Sequence, residues 1–160
     1  AVGVAETRVA DLIAGVFAAR GRPAIVFRGD DGLDELTLSG PSHLWWVSQG
    51  IITRYVIAPG DFGLALAPIE ALRGGDPAHN AEVVRELLAG RGAREQWAVR
   101  DAVLLNAGAA LALARGGVSA AADPPSITAA IRSGIAQARE SIDSGEAAAC
   151  LERWIAAARA

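Results

Sequence analysis

The chain has no lysine. All fifteen cationic side chains are arginine, set against eighteen Asp and Glu, for a formal net charge of −3 and a sequence pI of about 5.4. That balance speaks against a broad basic surface, so no nucleic-acid partner is expected. Arginine takes over phosphate contacts as a planar fork. The Ala-, Arg- and Gly-rich background accounts for the missing lysine as a compositional bias rather than a functional signal. Cysteine occurs once, so no disulfide can form within the chain. Cys150, in Ala-Ala-Ala-Cys-Leu, is expected as a small buried thiol on a helix. Neither His43 nor His79 has a second His or a Cys at metal spacing, so no zinc site is expected. The longest apolar run, 102–114, contains Asn106 and Gly108 and is too short to span a bilayer. The first residues show no signal-peptide pattern. A soluble cytoplasmic protein without a membrane partner is the expectation.

What is present is a core. Hydrophobic residues make up 52% of 160 residues and charged residues 21%, enough for one packed domain. No repeat, low-complexity stretch or linker divides the chain. Val9, Leu12, Ile13, Val16 and Phe17 recur at helical spacing, and Gly21 and Pro23 close that helix. The apolar run 24–27 between turn signals predicts a strand buried on both faces. A short strand is expected at 36–38, then two more at 43–47 and 51–57 around a turn at Gln49-Gly50. The remainder reads as helical. Asp76-Pro77 starts one helix, which ends near Gly90. A long helix runs over 95–115 and ends at Gly116-Gly117; another runs from Asp123-Pro124-Pro125 to about Ile142. A last one is capped by Ser144 and carries Leu151, Trp154 and Ile155. The adjacent Trp45 and Trp46 face opposite sides of their strand, one in the core and the other exposed or left for a missing element to cover. Arg100-Asp101 reads as an ion pair at a helix start, and Asn106, in an apolar helix, needs partners inside the domain. A buried parallel strand needs neighbours on both sides, and few other such strands are on offer.

The segment after the first buried strand holds four carboxylates, Asp30, Asp31, Asp34 and Glu35, within six residues. Ligands of open α/β sheets bind beyond the carboxyl ends of the strands. Clustered carboxylates there repel unless something positive sits between them, and magnesium is a natural candidate. The same residues also read as a solvated acidic turn.

Gly29-Asp30-Asp31-Gly32-Leu33-Asp34-Glu35 resembles the Gly-x-Asp-Gly-Leu-Asp-Glu signature of the anthranilate phosphoribosyltransferase family. Further segments are similar in the same order. Pro59-Gly60-Asp61-Phe62-Gly63 resembles Pro-x-x-Phe-Gly, and Gly74-Gly75-Asp76-Pro77-Ala78-His79-Asn80-Ala81 resembles Gly-Gly-Asp-x-x-x-Asn-Ala. Arg100 to Ala107 resembles Arg-Asp-x-Val-x-Leu-Asn-Ala, and the stretch ending Ile142-Asp143-Ser144-Gly145 resembles the family's closing motif. Together they cover nearly the whole chain.

The resemblance implies an α/β fold. Residues 1–160 would be the C-terminal portion of a nucleoside phosphorylase/phosphoribosyltransferase-like catalytic domain, a mixed sheet with helices packed around it, its N-terminal half absent. It implies transfer of phosphoribosyl from phosphoribosyl pyrophosphate to anthranilate in tryptophan biosynthesis, with Mg2+ as cofactor and Asp34 and Glu35 as its ligands. Asp31 would shape the loop. A homodimer is implied for the complete enzyme. The family's Gly-Thr-Gly-Gly-Asp pyrophosphate loop and Lys-His-Gly-Asn motif do not occur in this sequence. Three readings follow: a fragment of a full enzyme, one piece of a split enzyme, or a non-catalytic binding or interaction module derived from the fold. On the first two the chain alone is expected to be inactive and to need its N-terminal complement.

Overall fold

The structure is a computed structural model describing residues 1–91, 97–114 and 123–159. Four strands, β1 (Val2–Gly3), β2 (Ala24–Gly29), β3 (Ser42–Ser48) and β4 (Ile51–Ile57), lie in sequence order across one sheet. β1 and β2 run parallel, joined by helix α1 (Thr7–Ala19), while β2, β3 and β4 form an antiparallel meander. β2 is central and buried on both faces, as its unbroken apolar run requires. Gln49 (φ 51°) and Gly50 (φ 78°) both adopt left-handed backbone, the turn that matches the strand twist of a two-residue hairpin.

The sheet separates two cores. On one face α1 lays Ala10 and Ala14 over Ala24, Val26, Trp45 and Val47. The other face, with Ile25, Phe27, Leu44 and Trp46, packs against the helical layer. That layer consists of α2 (Pro77–Leu88), α3 (Trp97–Ala114), α4 (Pro124–Asp143) and α5 (Glu146–Ala158). α3 and α4 touch backbone to backbone. A Cβ on Gly108 would stand 2.5 Å from Ile135 Cγ1 and 2.8 Å from Ile135 N, and one on Gly134 would strike the Gly108 carbonyl. α3 is apolar and long enough to cross a membrane by composition, but it buries Leu104, Leu105, Ala109 and Ala112 in the protein core.

Several expectations are corrected. Residues 36–38 are buried but form no strand, because side chains at Leu36 and Thr37 and the Ala67 main-chain N–H at Leu38, rather than a neighbouring strand, satisfy their backbone. Both tryptophans are covered, since α1 lies over Trp45, whose indole N–H donates to Asp11 at 2.6 Å. Cys150 is exposed, because α5 turns it away from the core. Ser144 closes α4, and left-handed Gly145 (φ 82°) precedes α5 with no side-chain cap. Arg100 reaches across to Asp143 (2.5 Å) at the end of α4 instead of closing a pair with Asp101. The expected ends of α3, at 95 and at 115–117, fall outside the described residues. Asp76 and Asp123 cap α2 and α4 as expected, accepting from the main-chain N–H groups of His79 and Ser126.

Candidate functional site

The acidic loop begins where β2 ends. Gly29 is buried there, and a Cβ on it would press on Thr37 at 3.1 Å and more closely still on Asp31. Asp31, an exposed residue, turns back onto the loop and organises it. Its Oδ1 accepts from the main-chain N–H of Leu33 at 3.1 Å, and its Oδ2 from the hydroxyls of Thr37 (2.5 Å) and Ser39 (2.7 Å). Partial burial pushes the Asp31 carboxyl up, but these three donors outweigh it and hold the group below its ordinary value. Thr37 is 1% exposed, and its main-chain N–H donates to Ser42 Oγ at 3.0 Å. Asp30 leaves the cluster to meet His43 Nε2 at 2.8 Å. All four residues are exposed, but among the described residues only Asp34 and Glu35 of the four make no hydrogen bond or ion pair, and the Glu35 carboxyl is partly buried.

These two sit in a closely held stretch of backbone. On the amino side, Gly3 of β1 abuts Asp34, and a Cβ at Gly3 would fall within the Asp34 carbonyl group, 2.5 Å from its carbon. On the carboxyl side, the Asn106 side chain on α3 brackets Leu36. Asn106 Oδ1 accepts from the Leu36 N–H at 3.0 Å, and Nδ2 donates to the Leu36 carbonyl at 3.0 Å. Sequence reasoning placed Asn106 in an internal bond without finding its partner, and it missed Gly3 altogether. The closeness of Gly3 to a loop thirty-one residues later leaves no local signal.

Glu35 has its pKa raised, first by partial burial and then by the negative charge of Asp34 beside it. The folded chain therefore holds the Glu35 proton more tightly than the unfolded chain does. Ionising Glu35 costs stability as pH rises above the ordinary glutamate value, and the cost is fully present at neutral pH. Glu35→Gln is expected to raise the thermal midpoint in metal-free buffer at neutral pH. At a pH well below the ordinary glutamate pKa of about 4.3 the difference should vanish. Thermal scans at the two pH values check this, and a variant no more stable at neutral pH contradicts it.

A second motif lies farther along. Asn80 Oδ1 accepts from the Gly75 N–H (2.8 Å) and its Nδ2 donates to the Gly75 carbonyl (3.1 Å), so it closes the turn before α2 on itself. Gly74 and Gly75 allow the approach, since a Cβ at either would meet Asn80 or His79 at 2.8 Å. Between this turn and the acidic loop are two clefts of about 360 and 310 Å³ that share Leu72 and Arg73, the smaller reaching Leu33. Among the described residues no group of three or more His, Cys, Asp or Glu could enclose a metal ion.

A mixed α/β domain with a carboxylate-bearing loop beyond its central strand is thus the class that the fold and site define. Residues 1–148 match the glycosyl transferase family, a/b domain, and the chain belongs to that family. The likeness to anthranilate phosphoribosyltransferases runs through the whole chain. That of a Nocardioides species is 55% identical over 159 residues, covering 98% of this chain and 43% of the relative. The crystal structure of the Thermus thermophilus protein superposes with a TM-score of 0.79 at 36% identity, covering 99% of this chain and 42% of that one. The Saccharomyces cerevisiae protein, solved with PRPP and Mg, gives 0.78 at 25% identity over 94% of this chain and 40% of its own. The chain therefore spans less than half the length of these relatives.

Proposed function

We propose that this chain is the part of an anthranilate phosphoribosyltransferase that carries its magnesium–phosphate loop, with Asp34 and Glu35 as the metal ligands. The observation that carries the reading is the acidic loop itself: two adjacent, mutually repelling carboxylates held beyond the carboxyl end of a buried strand, with no third acidic ligand among the described residues to complete a cage. That donor set suits Mg2+, which keeps several waters and shares phosphate oxygens with a substrate. When bound, the ion offsets charge on the departing pyrophosphate. The chain's own contribution is positional. β2 aims the loop, Asp31 folds it and leaves Asp34 and Glu35 without hydrogen-bond partners among the described residues, and the clefts beside Arg73 offer room for phosphoribosyl pyrophosphate. Transfer to anthranilate in tryptophan biosynthesis, a cytoplasmic location and a homodimer belong to the same reading and rest on the family likeness. So does the view of residues 1–160 as one portion of a single catalytic domain.

The test uses the chain co-expressed with the amino-terminal portion of the Nocardioides relative. Calorimetric titration with phosphoribosyl pyrophosphate should show magnesium-dependent binding that the Asp34→Asn, Glu35→Gln double variant loses. Equal magnesium-dependent binding by both proteins overturns the metal assignment. Anthranilate fluorescence should report turnover by the pair and none by the 160-residue chain alone. Turnover by the lone chain at about 1 per second or faster contradicts the partial-site reading.

A further inference from the structure

Leu36 directly follows Glu35 and is 1% exposed, so its backbone N–H and C=O are cut off from water. A buried peptide group left unpaired is costly, and secondary structure normally pairs it. Residues 36–38 have no strand partner. Asn106 takes that place with a side chain that has the donor and acceptor of a peptide group, binding both the N–H and the C=O of Leu36 at 3.0 Å from 70 residues away. Its Nδ2 also donates to the Ala102 carbonyl at 3.0 Å, one turn back along α3. The acceptor at Leu36 N–H and the two donor bonds settle which way the amide points.

We infer that Asn106 is a positioning residue for the Asp34–Glu35 pair. It fixes from α3 the peptide that follows Glu35, so that the two carboxylates can address one metal–phosphate group. This rests on the magnesium reading above. The Asp31 bonds fix residues 33, 37 and 39, and Gly3 confines the Asp34 carbonyl. The peptide between Glu35 and Leu36 is the span that Asn106 holds. Without it, the backbone of Glu35 is free to rotate and the pair loses its common aim, while the two carboxylates themselves remain. Residues that orient metal ligands from behind change metal affinity without touching the metal.

The experiment again uses the chain co-expressed with the amino-terminal portion of the Nocardioides relative. Mn2+ serves as the probe, followed by water-proton relaxation with phosphoribosyl pyrophosphate present, in wild type, Asn106→Ala and Asn106→Ser. The serine hydroxyl can bond back to the Ala102 carbonyl and so keeps α3 intact while releasing Leu36. Ile131→Val, a core truncation on α4, controls for lost stability alone. Hydrogen exchange at the Leu36 amide is read in the same proteins. Both Asn106 variants should exchange faster at Leu36 and bind Mn2+ about 10–100-fold more weakly, while Ile131→Val does neither. Unchanged exchange at Leu36, or Mn2+ affinity no weaker than in Ile131→Val, overturns the inference and leaves the magnesium reading standing. Wild type that binds no Mn2+ with the substrate present sinks both.

Discussion

Gly3→Ala is expected to lower the thermal midpoint and to abolish magnesium-dependent binding of phosphoribosyl pyrophosphate, although residue 3 carries no functional group. The added methyl would occupy space already filled by the Asp34 carbonyl, 2.5 Å from its carbon, so backbone must move. Two outcomes are open to the chain. Either β1 leaves its parallel pairing with Val26 and Phe27, or the loop shifts and carries Asp34 with it. Overpacking of this kind costs about 1–3 kcal/mol, and for a chain of this size each kcal/mol corresponds to roughly 2–4 °C. The binding loss should match that of the Asp34→Asn, Glu35→Gln double variant, because a metal site depends on ligand aim as much as on ligand identity. Thermal unfolding and calorimetry on the co-expressed pair measure both effects. Full substrate binding in Gly3→Ala would show that the contact between β1 and the loop has no part in the site.

The second large effect is a change of sign between two glycines. Alanine in place of a mid-helix glycine gains about 0.8–1 kcal/mol from helix propensity alone. At Gly15 in α1 nothing lies within 4 Å of the new methyl, so Gly15→Ala should stabilise by about that amount. At Gly134 in α4 the methyl would strike the backbone of α3, 2.9 Å from the Gly108 carbonyl carbon and closer to its oxygen. No rotamer relieves a backbone contact, so α3 and α4 have to separate. That costs about 1–3 kcal/mol or more, which exceeds the propensity gain and makes Gly134→Ala destabilising. Because α3 carries Asn106, separation also strains the tether to Leu36. Denaturant unfolding of the two variants decides it: stabilisation by both would mean that the helices are not in backbone contact.

The acidic loop, the hairpin at Gln49-Gly50 and the caps at Asp76 and Asp123 were legible in the sequence. Each is set by interactions within a few residues, through left-handed backbone, a fixed proline φ or a carboxylate facing nearby N–H groups. The family motifs were legible too, but their meaning was not. Asn80 closes its own turn, whereas Asn106 in an equally plain motif reaches a loop 70 residues away. Cys150 and Trp45 were misjudged for one reason: an apolar neighbourhood in sequence does not say which helix face turns inward or which element covers a strand. Residues 36–38 had a strand's composition, yet a strand exists only if another strand pairs along it, and here the Asn106 amide, the Ser42 hydroxyl and a single main-chain bond from Ala67 took that place. The sequence by itself thus determined the local elements and the carboxylates available for chemistry. Only the tertiary structure decided how the backbone that carries Asp34 and Glu35 is held. That hold depends on Gly3 of β1 against the Asp34 carbonyl and on Asn106 of α3 at Leu36, contacts that local propensity does not encode.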